Sequence, residues 1–304
     1  MYRQHFGLTE SPFSLTPDTQ FYFNNTSHRE VLSAILLALR HSEGFIKVVG
    51  EVGTGKTLLC RKLLDHLDGR YQTAYIPNPY LSPDELKWFL AEEIGVSTKD
   101  KPAYKLLNDI NQRLIQLAAS KRQVVLIVDE AQAMPRETLE ALRLLTNLET
   151  AKRKLLQVVL LGQPELDEML DRPDLRQLKQ RIVFSEYLQA IDSSNVARYV
   201  DARLMAAGYS GEPLFSSQAL SLLMHASGGI PRLINVLCHK ALMAAYGEGA
   251  YQVSRKHMAR AVKDTPESRR RGQRQAQQLV LWMLTGALAA LVLIGVPLWF
   301  WGRA

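Results

Sequence analysis

Apolar and polar positions along the chain predict strands and helices in alternation. Short apolar runs rich in β-branched residues predict buried strands, and the stretches between them have helical spacing. The predicted strands lie near residues 44–49, 72–77, 123–129, 155–162 and 181–187. From Asp192 to Lys263 only helical spacing remains. The pattern therefore predicts an α/β fold with a central parallel sheet, followed by a smaller helical domain.

One apolar run differs from the others because it is long enough to cross a membrane. The run from Leu279 to Trp301 contains no charged residue. As a helix rising ~1.5 Å per residue it would span roughly 34 Å, against a hydrocarbon core of ~30 Å. Trp282 lies near one end and 299–301 is an aromatic cluster at the other, as expected at membrane interfaces. A buried core helix would need a large surrounding protein, so we expect a transmembrane helix over 279–301.

The net charge of +7 is unevenly distributed. The chain carries +4 from Lys263 onward, which leaves +3 on residues 1–262. Arg303 follows the apolar run, whereas four arginines precede it: Arg269, Arg270, Arg271 and Arg274. The positive-inside rule then places the body in the cytoplasm, and the first thirty residues contain no apolar segment typical of a signal peptide. The weakly basic body argues against nucleic acid as the partner.

A G-x-x-x-x-G-K-[ST] phosphate-loop pattern lies between a strand-like and a helix-like run. Its glycines let successive N–H groups face one point, and a helix N-terminus adds positive potential there. Lys56 is expected to reach the β- and γ-phosphates of ATP, and Thr57 to bind Mg²⁺. The other expected ATP contacts are Gly50, Glu51, Val52, Gly53, Thr54, Gly55 and Leu58. The alternative is a tight strand-to-helix turn without a ligand.

Two carboxylates follow the third predicted strand, at the edge where open α/β sheets bind ligands. The five apolar residues 124–128 precede Asp129 and Glu130. Asp129 is suited to hold Mg²⁺ through water, and Glu130 to act as general base for the attacking water. Alone, such a pair is more often a plain strand end. About 70 residues after a phosphate loop, it predicts catalysis.

Three stretches of the sequence resemble a known family. The N-terminal stretch contains Tyr2 to Leu8, Pro12-Phe13, Pro17-Asp18 and His28-Arg29-Glu30. The phosphate-loop stretch runs from Gly44 to Arg61. The third stretch combines Asp129-Glu130-Ala131-Gln132 with Gly162-Gln163-Pro164-Glu165-Leu166. Over about residues 1–262 the chain resembles the AAA+ ATPases and, more narrowly, the ExeA/GspA-like family of secretion and pilus-assembly ATPases.

The resemblance implies roles for four further residues. Gln163 would sense the γ-phosphate or the attacking water, although a helix-capping role is the alternative and many AAA+ proteins have Asn, Ser or Thr there. Arg176 or Arg181 would reach the nucleotide of a neighbouring subunit as an arginine finger, unless both are only solvated. Arg232 would enter the nucleotide cleft from the lid, or else mark a helix start. The segment around 28–29 would lie near the adenine.

The resemblance also implies a P-loop AAA+ three-layer sandwich with a central parallel sheet and a small α-helical lid. The expected divisions are an N-terminal segment packing on the ATPase core (1–27), the AAA+ domain (28–190), the lid (191–264), a basic polar linker (265–278), the transmembrane helix (279–301) and a short periplasmic tail (302–304). Some family members continue into a periplasmic peptidoglycan-binding domain. The short form is more similar to the MshM-like branch that serves mannose-sensitive pili.

The expected function is that of a single-pass bacterial inner-membrane ATPase whose N-terminal ATPase domain lies in the cytoplasm. It would bind and hydrolyse ATP with Mg²⁺ to drive or gate assembly of an MSHA-like type IV pilus or a type II secretion system. Self-association into an AAA+ oligomer and contact with inner-membrane components of that machine are expected. Two alternatives remain: a DNA-associated AAA+ ATPase of the transposition or replication type, and an ATP-gated scaffold with little hydrolysis.

Overall fold

The computed structural model describes residues 2–16, 18–23, 25–67, 69–99, 101–149 and 154–268. The strands are β1 (Phe45–Gly50), β2 (Tyr71–Ile76), β3 (Gln123–Val128), β4 (Leu156–Gly162) and β5 (Ile182–Leu188). The helices are α1 (Tyr2–His5), α2 (Thr26–Arg40), α3 (Lys56–His66), α4 (Pro83–Glu93), α5 (Ala103–Ala119), α6 (Arg136–Leu145), α7 (Glu165–Leu170), α8 (Arg176–Lys179), α9 (Val196–Ala206), α10 (Ser217–Ser227), α11 (Pro231–Gly247) and α12 (Arg255–Lys263).

The chain divides into two compact units. The first, here the sheet unit, comprises 15–195 together with 230–232. The second, here the helical unit, comprises the described residues of 1–14, 196–229 and 233–268.

The sheet unit is built on one parallel sheet with the strand order β2-β3-β4-β1-β5. Every neighbouring pair of strands is parallel. The strands agree with the predicted ranges to within one residue at each end, and the prediction of an α/β fold with a central parallel sheet is confirmed. The order places β1 between β4 and β5, and β3 between β2 and β4. The carboxyl ends of β1, β3 and β4 therefore lie along one edge of the sheet.

Helices cover both faces of this sheet because its side chains point alternately to the two sides. Ile46 and Val48 of β1 pack in the core formed with α2 and α3. Phe45 and Val49 pack in the opposite core, formed with α4 to α8. All four side chains are at most 1% exposed. Since burial of such a side chain contributes about 1.5–3 kcal/mol, a shift of one residue in register would be strongly unfavourable.

The helical unit contains α9, α10, α12 and α11 from Leu233 onward, and also the N-terminal residues. Arg203 of α9 is 7% exposed and donates from Nε to the Pro12 carbonyl oxygen at 2.6 Å and from Nη2 to that of Ser14 at 3.3 Å. The Tyr2 hydroxyl lies 3.0 Å from His239 Nδ1 of α11. The predicted N-terminal segment 1–27 is divided after residue 14 in the structure, and the buried Arg203 guanidinium holds its first part by two backbone carbonyl oxygens.

The predicted linker and membrane segment are described only in part. Thr265 and Ser268, at the start of the predicted linker, are buried, and the Thr265 hydroxyl donates to the Ala261 carbonyl oxygen at 2.8 Å. Within the described residues, no helix has both the length and the apolar character needed to cross a membrane. The predicted transmembrane helix over 279–301 and the tail at 302–304 lie outside those residues.

Candidate nucleotide-binding site

The predicted phosphate loop connects β1 to α3 and has the backbone that its glycines allow. Gly53 and Gly55 have φ angles of +81° and +101°, in the left-handed region that L side chains rarely adopt. Among the described residues, no side chain caps the N-terminus of α3. The N–H groups of its first turn are therefore directed into the loop, where an anion would satisfy them.

Close packing against the loop excludes side chains at its glycines. A Cβ on Gly55 would lie 2.9 Å from His28 Nε2, and one on Gly53 would lie 2.6 Å from the Cβ of Arg232. A Cβ on Gly50 would lie 2.9 Å from the Leu188 carbonyl oxygen. The loop conformation is thus determined by neighbours from β5, α2 and the start of α11, all within the sheet unit.

Lys56 is buried at the centre of the loop, with 5% of its surface exposed. Its Nζ donates to the carbonyl oxygens of Gly50 at 2.7 Å and Glu51 at 3.0 Å. Burial lowers the pKa of Lys56, and the carboxylates of Glu130 and Asp129 act in the opposite direction. The side chain is held in the loop by acceptors that phosphate oxygens can replace.

The other loop residues have less specialised environments. Thr54 is 1% exposed, and its hydroxyl donates to the Glu51 carbonyl oxygen at 2.9 Å, which closes the loop on itself. The side chains of Glu51 and Val52 are exposed, and Leu58 is half-buried in the first turn of α3. Any ligand contact from Glu51 and Val52 therefore comes from their backbone or from their exposed side chains.

Thr57 and Asp129 meet although they are 72 residues apart. The Thr57 hydroxyl donates to Asp129 Oδ2 at 2.8 Å, and the Glu130 N–H donates to Asp129 Oδ1 at 2.9 Å. Burial raises the pKa of Asp129, and these two hydrogen bonds oppose the rise. A hydroxyl and a carboxylate side by side are the oxygen ligands that Mg²⁺ prefers.

Glu130 follows Asp129 with a φ of +52°, in the left-handed region. Its Oε2 accepts hydrogen bonds from Gln163 Nε2 at 2.8 Å and from Gln132 Nε2 at 2.5 Å. The structure therefore brings Gln163 to Glu130, as expected if both act on the same water. Sequence reasoning did not assign a role to Gln132, because an amide two residues after an acidic pair has no pattern of its own.

The three arginines proposed for the site have different surroundings. The Arg232 N–H donates to the Gly53 carbonyl oxygen at 3.2 Å, so its backbone lies directly beside the loop, and its side chain is exposed. Arg176 is exposed at the first position of α8. Arg181 is half-buried, and its Nη1 lies 3.3 Å from the Thr146 hydroxyl oxygen. Arg181 is thus bound to its own subunit at the end of α6.

His28 is a second residue whose contact with the loop could not be derived from local pattern. It is 5% exposed, and its hydrogen bond is to the backbone of Thr54. Burial lowers the pKa of His28 to about 4, against the smaller effect of that hydrogen bond. Only the family resemblance pointed to residues 28–29. Within the described residues, three neighbouring buried polar atoms have no partner: Tyr22 Oη, Asn25 Nδ2 and His28 Nδ1.

Taken together, these residues fit a nucleoside triphosphate with Mg²⁺. The uncapped N-terminus of α3 and the positive φ of Gly53 and Gly55 suit a chain of phosphates. The paired oxygens of Thr57 and Asp129 suit a hard cation.

Comparisons with known proteins show what this chain is similar to. The family model described as an AAA domain matches residues 39–170. General secretion pathway protein A of Aeromonas hydrophila is 42% identical over 303 residues, which is 99% of this chain and 54% of that protein. The chain thus spans about half the length of this curated relative. The resemblance to the ExeA/GspA-like family is confirmed.

Several solved structures share this fold. Cdc6p of Pyrobaculum aerophilum has a TM-score of 0.61 at 16% identity, covering 80% of this chain and 67% of that chain. The ORC1 protein of Aeropyrum pernix in complex with DNA has a TM-score of 0.58 at 17% identity, covering 84% and 69%. The ORC2 protein of the same organism, in ADPNP–ADP complexes, has a TM-score of 0.56 at 18% identity, covering 82% and 72%. At these identities the likeness shows the fold alone, an α/β P-loop AAA fold. The match to the AAA domain implies nucleotide binding.

Proposed function

We propose that this chain is a membrane-anchored AAA+ ATPase. It carries an AAA domain and is related along nearly its whole length to General secretion pathway protein A. It binds ATP with Mg²⁺ and hydrolyses it, and so drives or gates the assembly of an envelope machine. One observation supports the enzymatic part of the proposal. The Thr57 hydroxyl of the phosphate loop donates to Asp129, and Glu130 follows Asp129 on the same edge of the sheet.

The loop and Lys56 bind the triphosphate. On binding, the first-turn N–H groups of α3 donate to phosphate oxygens, and Lys56 exchanges the Gly50 and Glu51 carbonyl oxygens for the β- and γ-phosphates. Thr57 and Asp129 would hold Mg²⁺, Asp129 through water, and the ion would supply positive charge to the triphosphate.

Glu130 is the general base for hydrolysis. Its carboxylate accepts a proton from the attacking water as the water oxygen bonds to the γ-phosphorus and the bond to the β-phosphate oxygen breaks, which yields ADP and phosphate. Gln163 Nε2 donates to Glu130 Oε2 at 2.8 Å, which supports a role for its amide in sensing the γ-phosphate or the attacking water. Arg232 adds a positive charge beside the loop.

Arg176 is the better candidate for an arginine finger. Arg181 is directed to the carbonyl and hydroxyl groups at the end of α6, whereas Arg176 is exposed. A finger must leave its own subunit to reach a neighbour's nucleotide, so the exposed guanidinium is the more available one. This role requires self-association into an AAA+ oligomer.

The membrane part of the proposal rests on the sequence and on the relative. Residues 279–301 form an uncharged apolar run after four closely spaced arginines, which favours a single-pass inner-membrane protein with a cytoplasmic ATPase domain. The relative's name refers to a general secretion pathway. We therefore take the assisted machine to be a type II secretion system or an MSHA-like type IV pilus, and its inner-membrane components to be the partners.

Two substitutions test the enzymatic proposal. Lys56→Ala removes the buried ammonium and should abolish ATP binding. Glu130→Gln keeps shape and hydrogen bonding, so it should leave ATP binding intact and lower turnover by roughly 10²-fold or more. The measurements are nucleotide binding and phosphate release by the full chain in lipid, with the exposed Glu212→Gln as control. If wild type and Glu130→Gln are equally slow, the protein is an ATP-gated scaffold. Retained binding by Lys56→Ala would contradict the loop assignment.

Two further experiments test the cellular part. Deletion of residues 279–304 should move the protein from membranes to the soluble fraction; continued sedimentation with membranes would show another membrane contact. Cross-linking of Glu130→Gln protein in native membranes with ATP, followed by mass spectrometry, should recover inner-membrane pilus or secretion components. Recovery of DNA or DNA-processing proteins in their place would reject the assembly role.

A further inference from the structure

Gln132 lies in the short 3₁₀ turn Ala131–Ala133 that follows the acidic pair. Both ends of its amide are used within the site. Its Nε2 donates to Glu130 Oε2 at 2.5 Å, and its Oε1 accepts from the Gln163 backbone N–H at 3.0 Å. This one side chain therefore connects the catalytic carboxylate at the end of β3 to the residue that follows β4.

Gln163 completes a closed arrangement of three side chains. Its own Nε2 donates to the same Glu130 oxygen, Oε2, at 2.8 Å. Two amide donors on one carboxylate oxygen orient the group about its terminal torsion, which is otherwise broad and weakly determined. They also occupy the lone pairs of Oε2, which leaves Oε1 as the oxygen able to take a proton.

The backbone around this arrangement is shaped to accommodate it. Glu130 has a left-handed φ of +52°, a conformation that costs of order 1–3 kcal/mol for a non-glycine residue. The turn is closed by the Ala133 N–H, which donates to the Glu130 carbonyl oxygen at 2.8 Å. At the end of β4, a Cβ on Gly162 would lie 3.2 Å from Gln132 Oε1 and 2.7 Å from Leu166 Cδ2. A glycine there leaves room for the amide.

We propose that Gln132 is a positioning residue that aims the Glu130 carboxylate at the attacking water and couples it to Gln163. When the Gln163 amide turns to the γ-phosphate, Gln132 remains on Oε2 and keeps Oε1 directed to the water. Gln132 thus holds the base in place while the Gln163 amide contacts the γ-phosphate. This inference rests on the proposed ATP hydrolysis and adds a residue to it.

Kinetics of the full chain in lipid test the role of Gln132. Gln132→Ala removes both contacts and should lower kcat roughly 10- to 100-fold, the order expected for a misplaced catalytic group, with ATP affinity changed less than about twofold. Gln132→Glu keeps the size and the acceptor for the Gln163 N–H, but it places a second carboxylate against Glu130. It should lower kcat at least as much as alanine does. The exposed Gln112→Ala on α5 is the matched control and should have wild-type kinetics.

A double substitution separates positioning from a structural role. In a Glu130→Gln background there is no base to aim, so Gln132→Ala should lower the residual kcat by less than about twofold. An equal loss in both backgrounds, or a parallel loss of ATP affinity, would show that Gln132 only supports the fold. Unchanged kcat for Gln132→Ala with a large loss for Glu130→Gln would overturn the role of Gln132 alone. Unchanged kcat for both would overturn the proposed hydrolysis.

Discussion

The buried imidazole of His28 should make the stability of this protein depend on pH. His28 is 5% exposed and packs against the phosphate loop, where its ring contacts the backbone of Thr54. A protonated ring would bring a charge into this buried site. Replacement of His28 by Gln removes the titrating group and keeps an amide that can donate to the same backbone.

The size of the effect follows from the two pKa values. Burial lowers the pKa of His28 from 6.5 to about 4. Between these values the unfolded chain binds more protons than the folded one. The contribution of His28 to the free energy of unfolding is therefore fully present above the higher pKa and is lost as the pH falls toward the lower one. At 1.36 kcal/mol per pKa unit the full effect is about 3 kcal/mol. Between about pH 7 and about pH 5, linkage gives a loss of about 2 kcal/mol.

Urea unfolding of the full chain in detergent measures this effect. The free energy of unfolding of the wild type should fall by about 2 kcal/mol more than that of His28→Gln between about pH 7 and about pH 5. Burial also lowers the pKa of His239, but that residue is present in both proteins and cancels in the difference. The exposed His225→Gln should follow the wild type. Parallel curves for the wild type and His28→Gln would refute the assignment of a depressed pKa to His28.

Two other predictions concern one unit each. Gly55→Ala would place a side chain at a φ of +101°, with its Cβ 2.9 Å from His28 Nε2. It should lower the free energy of unfolding by about 2 kcal/mol and remove most of the affinity for ATP. Gly69→Ala is the control: its Cβ would meet open space, so ATP affinity should be unchanged. Equal ATP affinity for the wild type, Gly55→Ala and Gly69→Ala would contradict the steric reasoning. Arg203→Met removes the donors to the Pro12 and Ser14 carbonyl oxygens and should cost about 3 kcal/mol. Limited proteolysis should then cleave within residues 2–14 sooner than in the wild type; an unchanged cleavage rate would contradict the proposed anchoring.

The parallel sheet and the phosphate loop could be predicted because their signals are local. The apolar residues of 124–128 mark a strand buried on both faces, wherever its neighbours lie. The phosphate loop needs only eight consecutive residues, 50–57, between a strand and a helix. Thr57 and Asp129 could also both be expected at the Mg²⁺ site, since the carboxyl ends of parallel strands share one edge of the sheet.

Other features were decided by tertiary structure. Gln132 and Gln163 are 31 residues apart and meet because β3 and β4 are neighbours in the sheet. His28 reaches the loop only because α2 packs beside α3, and Arg181 is bound to its own subunit only because α6 ends beside it. The N-terminal residues join the helical unit through the buried Arg203.

The sequence by itself determined which strands are buried and which short segment forms the phosphate loop, because periodicity and loop chemistry act over a few neighbouring residues. Tertiary structure alone decided which polar groups pair with one another. Such pairs depend on the order of strands and the packing of helices. They form between residues that are far apart in the chain, whereas periodicity is a local signal.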